Sequence, residues 1–342
     1  MHLLVIRASA MGDVALTTPV LKAIRKKYPD TLITIVTRPA FVPFFSPTEG
    51  LNIFMADFNG RHKGLTGIFN LYSDLKKLEK IDHVIDLHDV LRSKILGKLF
   101  RISGIPVSVT DKGRSEKKLV IQGKIRTGLK HTVDRYCDTF SKAGFPVIPG
   151  KEQSIIPADE AINKISVLPV SMDDLNIGVA PYAKHELKMW PEEYMIMLLR
   201  LIAEKQEVKY WLFGGKEDTE RLNSFHEKVP GSSVVSGKYD LSAELALMSR
   251  LDLMISMDSA NMHMAALTGT KVVSIWGGTD PITGFGAWQQ PDDYAVRIPA
   301  EELSCRPCTI YGKGKCRRGD FACMIWLTPE KVFEKIINLK IV

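Results

Sequence analysis

The chain has 342 residues, 45% hydrophobic and 25% charged, with a net charge of +7. That balance excludes a disordered chain, and no run of 18 apolar residues marks a transmembrane helix. The length accommodates two domains of ordinary size.

In chain order, residues 3–6 form an apolar strand, with none of the basic flank, apolar stretch and cleavage site of a signal peptide. This start reads as the first strand of a cytoplasmic protein. Residues 9–13 make the following turn, and 14–27 have helical periodicity, with Pro19 a local conflict. Strands are expected at 32–36, 53–58, 81–87 and 105–109, with helical pieces at 41–45, 68–80, 90–100 and 133–143. Residues 111–131 read as a mobile loop or loosely packed helices. After Pro146, Pro149, Gly150 and Pro157 the alternation restarts. Strands fall at 176–180, 208–213, 233–235, 253–256 and 271–276, with helices at 191–205, 219–228, 242–249 and 261–267. Val296 and Ile298 mark one more strand. Alternating strands and helices predict an α/β chain with parallel sheets. The domains are expected at 1–165 and 175–328, with the junction around 155–175. A terminal helix over 329–342 is placed to pack back toward the N-terminal domain. Two similar halves imply a ligand cleft between them.

Charge is uneven: residues 92–135 hold twelve Lys or Arg against Asp111, Glu116 and Asp134. Such a field attracts nucleic acid, anionic lipid or a phosphorylated substrate, or it merely solubilises. Phe100 is the one Phe, Tyr or Trp there, which weakens the nucleic-acid reading.

Chemistry is expected where strands end. Residues 251–281 read as strand, short helix, strand and glycine turn, a unit that carries ligands at the carboxyl ends of parallel strands. Asp258 and Ser259 either cap the helix or stand beside amides that receive a phosphate. Ser9, Met11, Gly12 and Asp13 follow the first strand but match neither the dinucleotide fingerprint nor the Walker A loop. Asp13 is an N-cap or a base. Lys184 and Lys188 precede a helix start, where a lysine reaches the same anion as the helix amides, or stays solvated. Glu217 or Asp218, after Gly214-Gly215, accepts from ribose hydroxyls, or Asp218 or Thr219 caps a helix. Cys305, Cys308, Cys316 and Cys323 have a spacing compatible with a structural zinc site or with reduced thiols in an irregular lobe; Cys137 stands alone.

Four motifs resemble the bacterial lipopolysaccharide heptosyltransferases of glycosyltransferase family 9. They are R-A-S-A-M-G-D-V-A-L-T-T-P, K-M-W-P, D-S-A-N-M-H-M-A-A-L-T-G-T-K-V-V-S-I-W-G-G-T-D-P and the C-x-P-C tail, in the family's order. The resemblance implies the GT-B fold, two Rossmann-like domains facing across a cleft, with acceptor on the N-terminal and donor on the C-terminal domain. It implies inverting, metal-independent transfer from a nucleotide sugar such as ADP-heptose to an anionic lipid-linked saccharide. By the same resemblance Asp13 is the base and Lys188 reaches the donor phosphates. Asp258, Ser259, Ala260, Asn261, Met262 and His263 form the donor junction, with the amides of Met262 and His263 toward the diphosphate. The family carries glycine where Ala260 stands and often proline near Asn261. The ribose acid falls at Glu217 or Asp218. No cofactor and no nucleic acid are expected. Peripheral contact with the inner face of the cytoplasmic membrane is expected through residues 92–135.

The rival readings are a transferase with another donor or acceptor, a GT-B epimerase, and a basic nucleic-acid module with a zinc-like cysteine tail. An NAD-dependent oxidoreductase is disfavoured by the missing glycine fingerprint.

Overall fold

A computed structural model describes residues 1–46, 48, 50–170 and 174–340. Residues 171–173 of the expected junction and 341–342 of the expected terminal helix lie outside them. The chain divides into two compact units: Met1–Gly113 with Thr132–Ile156, and Arg114–His131 with Pro157–Val342.

The first unit holds β1 (His2–Ile6), β2 (Leu32–Thr37), β3 (Leu51–Met55), β4 (His83–Asp86) and β5 (Val107–Val109). They lie in the order β3-β2-β1-β4-β5, all parallel. Every residue of β1 is buried, because helices cover both faces of a parallel sheet, so the strand after His2 is a continuous apolar run. The expected strand over 53–58 stops at Met55. Asp57 turns the chain by accepting from the backbone N–H groups of Asn59, Gly60 and Arg61. The single helix expected over 14–27 is two, Met11–Ala15 and Thr18–Lys27. Pro19 lies in the first turn of the second, where its missing N–H breaks no bond.

The second unit holds β6 (Leu175–Ala180), β7 (Val208–Leu212), β8 (Ser232–Val234), β9 (Leu253–Met257), β10 (Lys271–Ile275) and β11 (Ala295–Val296). Their order is β11-β10-β9-β6-β7-β8, again all parallel. The terminal helix Pro329–Asn338 packs within the second unit. Val332 and Ile336, one helical turn apart, are fully buried in the second unit's core with Leu198, Leu199 and Ile202 of the helix Glu192–Ala203.

The basic segment 92–135 is divided between the two units. Residues 114–131, including the helix Arg114–Ile121, pack on the second unit. The Leu129 N–H donates to the Ile282 carbonyl at 2.7 Å, Arg126 Nη1 donates to the Arg306 carbonyl at 2.7 Å, and the Lys117 ammonium lies 3.9 Å from the Phe285 ring centroid. No helix of the described residues is long and apolar enough to cross a membrane.

In each sheet the chain adds strands to one side of its first strand, then crosses to the other. The two switch points are β1/β4 and β6/β9. Sheets of this topology hold ligands outside the strands' carboxyl ends at such points.

Candidate active site

The first unit's switch point is built on a buried charge. Arg7 follows β1 directly, and its Nη2 lies 2.8 Å from Asp13 Oδ2, with side-chain exposures of 5% and 29%. Arg7 Nη1 donates to the Leu87 carbonyl just past β4, tying the two strand ends together. Tyr136 stands beside the guanidinium, 5.7 Å from ring centroid to Cζ, and its hydroxyl donates to the Asp13 carbonyl at 3.3 Å. Asp13 is not the N-cap: that position is Ala10, with no side-chain cap bond, and Asp13 is the third helical residue. Its partly exposed carboxylate is oriented by a cation behind it, which fixes where its free edge can meet a ligand.

Asp86, the last residue of β4, closes the facing loop. Its Oδ1 accepts from the backbone N–H of His88 at 2.8 Å and of Asp89 at 2.9 Å. Burial pushes the Asp86 carboxyl up. Asp89 takes a left-handed backbone, φ +42°, which few non-glycine residues adopt. His88 Nε2 lies 3.0 Å from Ser9 Oγ. Burial, helped by the charges of Arg7 and Lys112, pushes the His88 imidazole down to about 3, so it is neutral at ordinary pH. Met11 is half-buried and Gly12 is buried in the first helical turn.

The second switch point joins two residues that the sequence placed separately. Lys188 ends a short 3₁₀ turn, Glu186–Lys188, and its Nζ lies 2.7 Å from Asp258 Oδ2 just past β9. Thr279 Oγ1 donates to the same Asp258 oxygen at 2.7 Å. The helix Ala260–Leu267 begins two residues after Asp258. Neither Asp258 nor Ser259 caps it: the N-cap Ser259 makes no cap bond, and its Oγ lies 3.2 Å from Ser256 Oγ. The capping alternative therefore fails, and the first-turn amides have no side-chain cap. Asn261, Met262 and His263 are buried, while Ala260 is half-buried.

Lys184 is exposed and does not join the Lys188–Asp258 pair, because it precedes the turn that carries Lys188 inward. Asp218 Oδ2 accepts from the Gly215 N–H at 2.9 Å and so holds the turn past β7, while Glu217 is exposed beside it.

Sequence reasoning missed the residues that support these groups. Arg306 is almost fully buried: its Nε donates to the Gly277 carbonyl at 2.6 Å, its Nη2 donates to the Thr279 carbonyl at 3.0 Å, and its Nη1 donates to the Ile298 carbonyl. It thus fixes the loop from which Thr279 reaches Asp258. Gly312 has φ +80°, and a Cβ added there would lie 2.7 Å from Lys188 Cγ, so glycine lets this loop lie along the lysine stem. The signals were present as a charge straight after an apolar strand (Arg7), and as a proline-flanked arginine in C-R-P-C (Arg306). Neither has meaning until the strand ends are brought together.

Of the two alternatives for the cysteines, the structure does not support the zinc site. Among the described residues no group of three or more His, Cys, Asp or Glu side chains is placed to hold a metal ion, and all five cysteines are free thiols. The Cys308 thiol points to the Gly278 carbonyl at 3.6 Å, and Cys323 is buried in the apolar core. Burial pushes the Cys308 thiol up and that of Cys323 up to about 11, and the neighbouring cysteines add to the rise in both.

The family model for glycosyltransferase family 9 (heptosyltransferase) matches residues 70–310, well over half the chain. The chain belongs to glycosyltransferase family 9. As a family 9 chain it is an enzyme of the heptosyltransferase class, and the rival nucleic-acid module is set aside. It is 24% identical over 281 residues to lipopolysaccharide heptosyltransferase 3 of Escherichia coli, covering 79% of this chain and 82% of the relative. Its fold is similar to that of a family 9 glycosyltransferase from Veillonella parvula, with a TM-score of 0.78 at 21% identity, covering 99% and 96% of the two chains. It is also similar to the E. coli heptosyltransferase WaaC with ADP-2-deoxy-2-fluoro heptose, with a TM-score of 0.67 at 20% identity, covering 99% and 100%. Two parallel, helix-flanked sheets make this family 9 enzyme a GT-B protein of two Rossmann-like units.

Proposed function

We propose that this enzyme transfers a heptose from ADP-heptose to a lipopolysaccharide inner-core acceptor at the cytoplasmic face of the membrane. The observation that carries this reading is the Lys188–Asp258 pair at the β6/β9 switch point, beside a helix start with no side-chain cap. A cation and backbone amides at one strand end suit the diphosphate of a leaving nucleotide. The names of the relatives supply the sugar and the acceptor class.

In this reading the second unit binds the donor. Lys188 and the amides around 259–263 take up charge on the diphosphate as its bond to the anomeric carbon breaks. Asp258 and Thr279 orient Lys188, and Glu217 is the better ribose contact because Asp218 already closes its own turn. Lys184 remains a peripheral donor contact. The first unit binds the acceptor beside Ser9, Met11 and Gly12. Asp13 accepts the proton of the acceptor hydroxyl as that oxygen attacks from the face opposite the leaving group, so the sugar inverts. Protein cations and amides stabilise the leaving charge, and no cofactor takes part.

The test uses the purified enzyme, ADP-heptose and a heptose-deficient lipopolysaccharide. Asp13→Asn is expected to bind ADP normally and lose nearly all transfer; full turnover would overturn the base assignment. Lys188→Ala is expected to weaken ADP binding by at least tenfold, and unchanged affinity would remove its role. UDP- and GDP-sugars, run beside ADP-heptose, decide the donor.

A further inference from the structure

The helices Gly64–Leu75 and Leu91–Ile102 follow β3 and β4 of the first unit and cover one face of its sheet. Ile68, Leu71 and Leu75 of the first, and Leu96 and Phe100 of the second, enter one core with Leu4, Ile6, Val36 and Val84. The rings of Tyr72 and Phe100 meet edge-on at 5.0 Å. The two helices therefore form a single layer whose outer side is one surface.

That surface has an unusual composition for one facing water. Leu65 is 66% exposed and Phe69 53%, one helical turn apart; Leu91 and Ile102 are each 74% exposed, three turns apart on one stripe. Lys94 and Lys98 lie on that stripe between them, with Arg101 beside it, while Arg92 turns away to stack on Phe58 at 4.2 Å, and the helix Leu91–Ile102 contains no acid. Lys94 also lies 3.3 Å from Asp89, just before the helix. The one acid of the other helix, Asp74, is taken up by Arg61 at 2.6 Å and Lys77 at 3.0 Å.

We propose that this helix layer docks the enzyme on an anionic phospholipid bilayer. Aliphatic side chains interspersed with cations match a membrane interface, where the apolar groups enter the acyl boundary and the cations meet lipid phosphates. A second copy would set like charges against each other. A nucleic acid would pair with the cations but leave Leu65, Leu91 and Ile102 unburied, since aliphatic side chains do not stack on bases. The proposal rests on the reading of a lipid-linked acceptor, and it replaces the segment 92–135 with a defined face of the first unit.

The test is co-sedimentation of the full chain with vesicles of phosphatidylcholine, with and without phosphatidylglycerol. Binding is expected only with the anionic lipid and is expected to weaken with salt. The paired changes Leu91→Ser with Ile102→Ser, and Lys94→Glu with Lys98→Glu, are each expected to weaken it at least tenfold. Both variants are expected to keep wild-type turnover on a deacylated, water-soluble acceptor, which also reports that they fold. Vesicle binding that both pairs of changes leave intact overturns the docking face without touching the assigned activity. A face that instead mediates self-association, or oligonucleotide binding in place of vesicle binding, overturns it as well. Failure of the wild type to turn over the soluble acceptor counts against the activity alone, because sedimentation still reads the docking.

Discussion

Arg7 shows how one side chain converts a generic turn into a site. A charge placed behind a β-strand is tolerable when it is paired, and Arg7 gives Nη1 to the Leu87 carbonyl and Nη2 to Asp13, while its buried Nε has no hydrogen-bond partner. The carboxylate is thereby aimed before any substrate arrives. If Asp13 is the base, Arg7→Met is expected to lower kcat about 100-fold, as small misplacements of a reacting group do. Arg7→Lys is expected to recover part of that loss, with the KM for ADP-heptose unchanged in both; steady-state kinetics reads the split. His88 makes a second prediction at this scale. The unfolded imidazole takes up a proton near pH 6.5, whereas the folded one waits until about 3. Between those values the unfolded chain binds the extra proton, so the first unit loses stability as pH falls from 6.5 toward 3. His88→Gln is expected to flatten that slope, as measured by urea unfolding across the window.

At the scale of elements, apolar periodicity located most strands and helices, because each must bury a stripe or a face whatever its neighbours are. Periodicity does not say which core receives the stripe. The terminal helix looks equally suited to either unit until Val332 and Ile336 are seen inside the second. Ile336→Ala is expected to destabilise that unit by about 2–5 kcal/mol, the cost of a large-to-small change at a fully buried site. Denaturant unfolding of the second unit checks it. The insertion at 114–131 was illegible for a related reason: its partners, Ile282, Phe285, Gly286 and Arg306, are more than 140 residues away in sequence.

For the whole molecule, two sheets with separate cores give two switch points with different chemistry. One presents a carboxylate and a neutral imidazole; the other presents a lysine and helix amides. That division predicts where ligand is felt. On adding ADP, hydrogen exchange is expected to slow in the second unit's loops after β6 and β9. The first unit's loops after β1 and β4 are expected to keep their rates. Protection in the first unit instead would reverse the assignment of donor and acceptor.

Sequence alone determined the α/β class, the strand-end location of the candidate residues and the resemblance to family 9, because period and local motif are properties of neighbouring residues. It placed Asp13, Lys188 and Asp258 at ends of strands without saying which strands adjoin. Only the tertiary structure decided that Lys188 and Asp258 form one pair, that Arg7 lies behind Asp13, and that the cysteines are free thiols of which Cys323 is buried. It also divided the basic segment between two units. Each of these depends on sheet order and on burial, which set distance and dielectric between residues far apart in the chain.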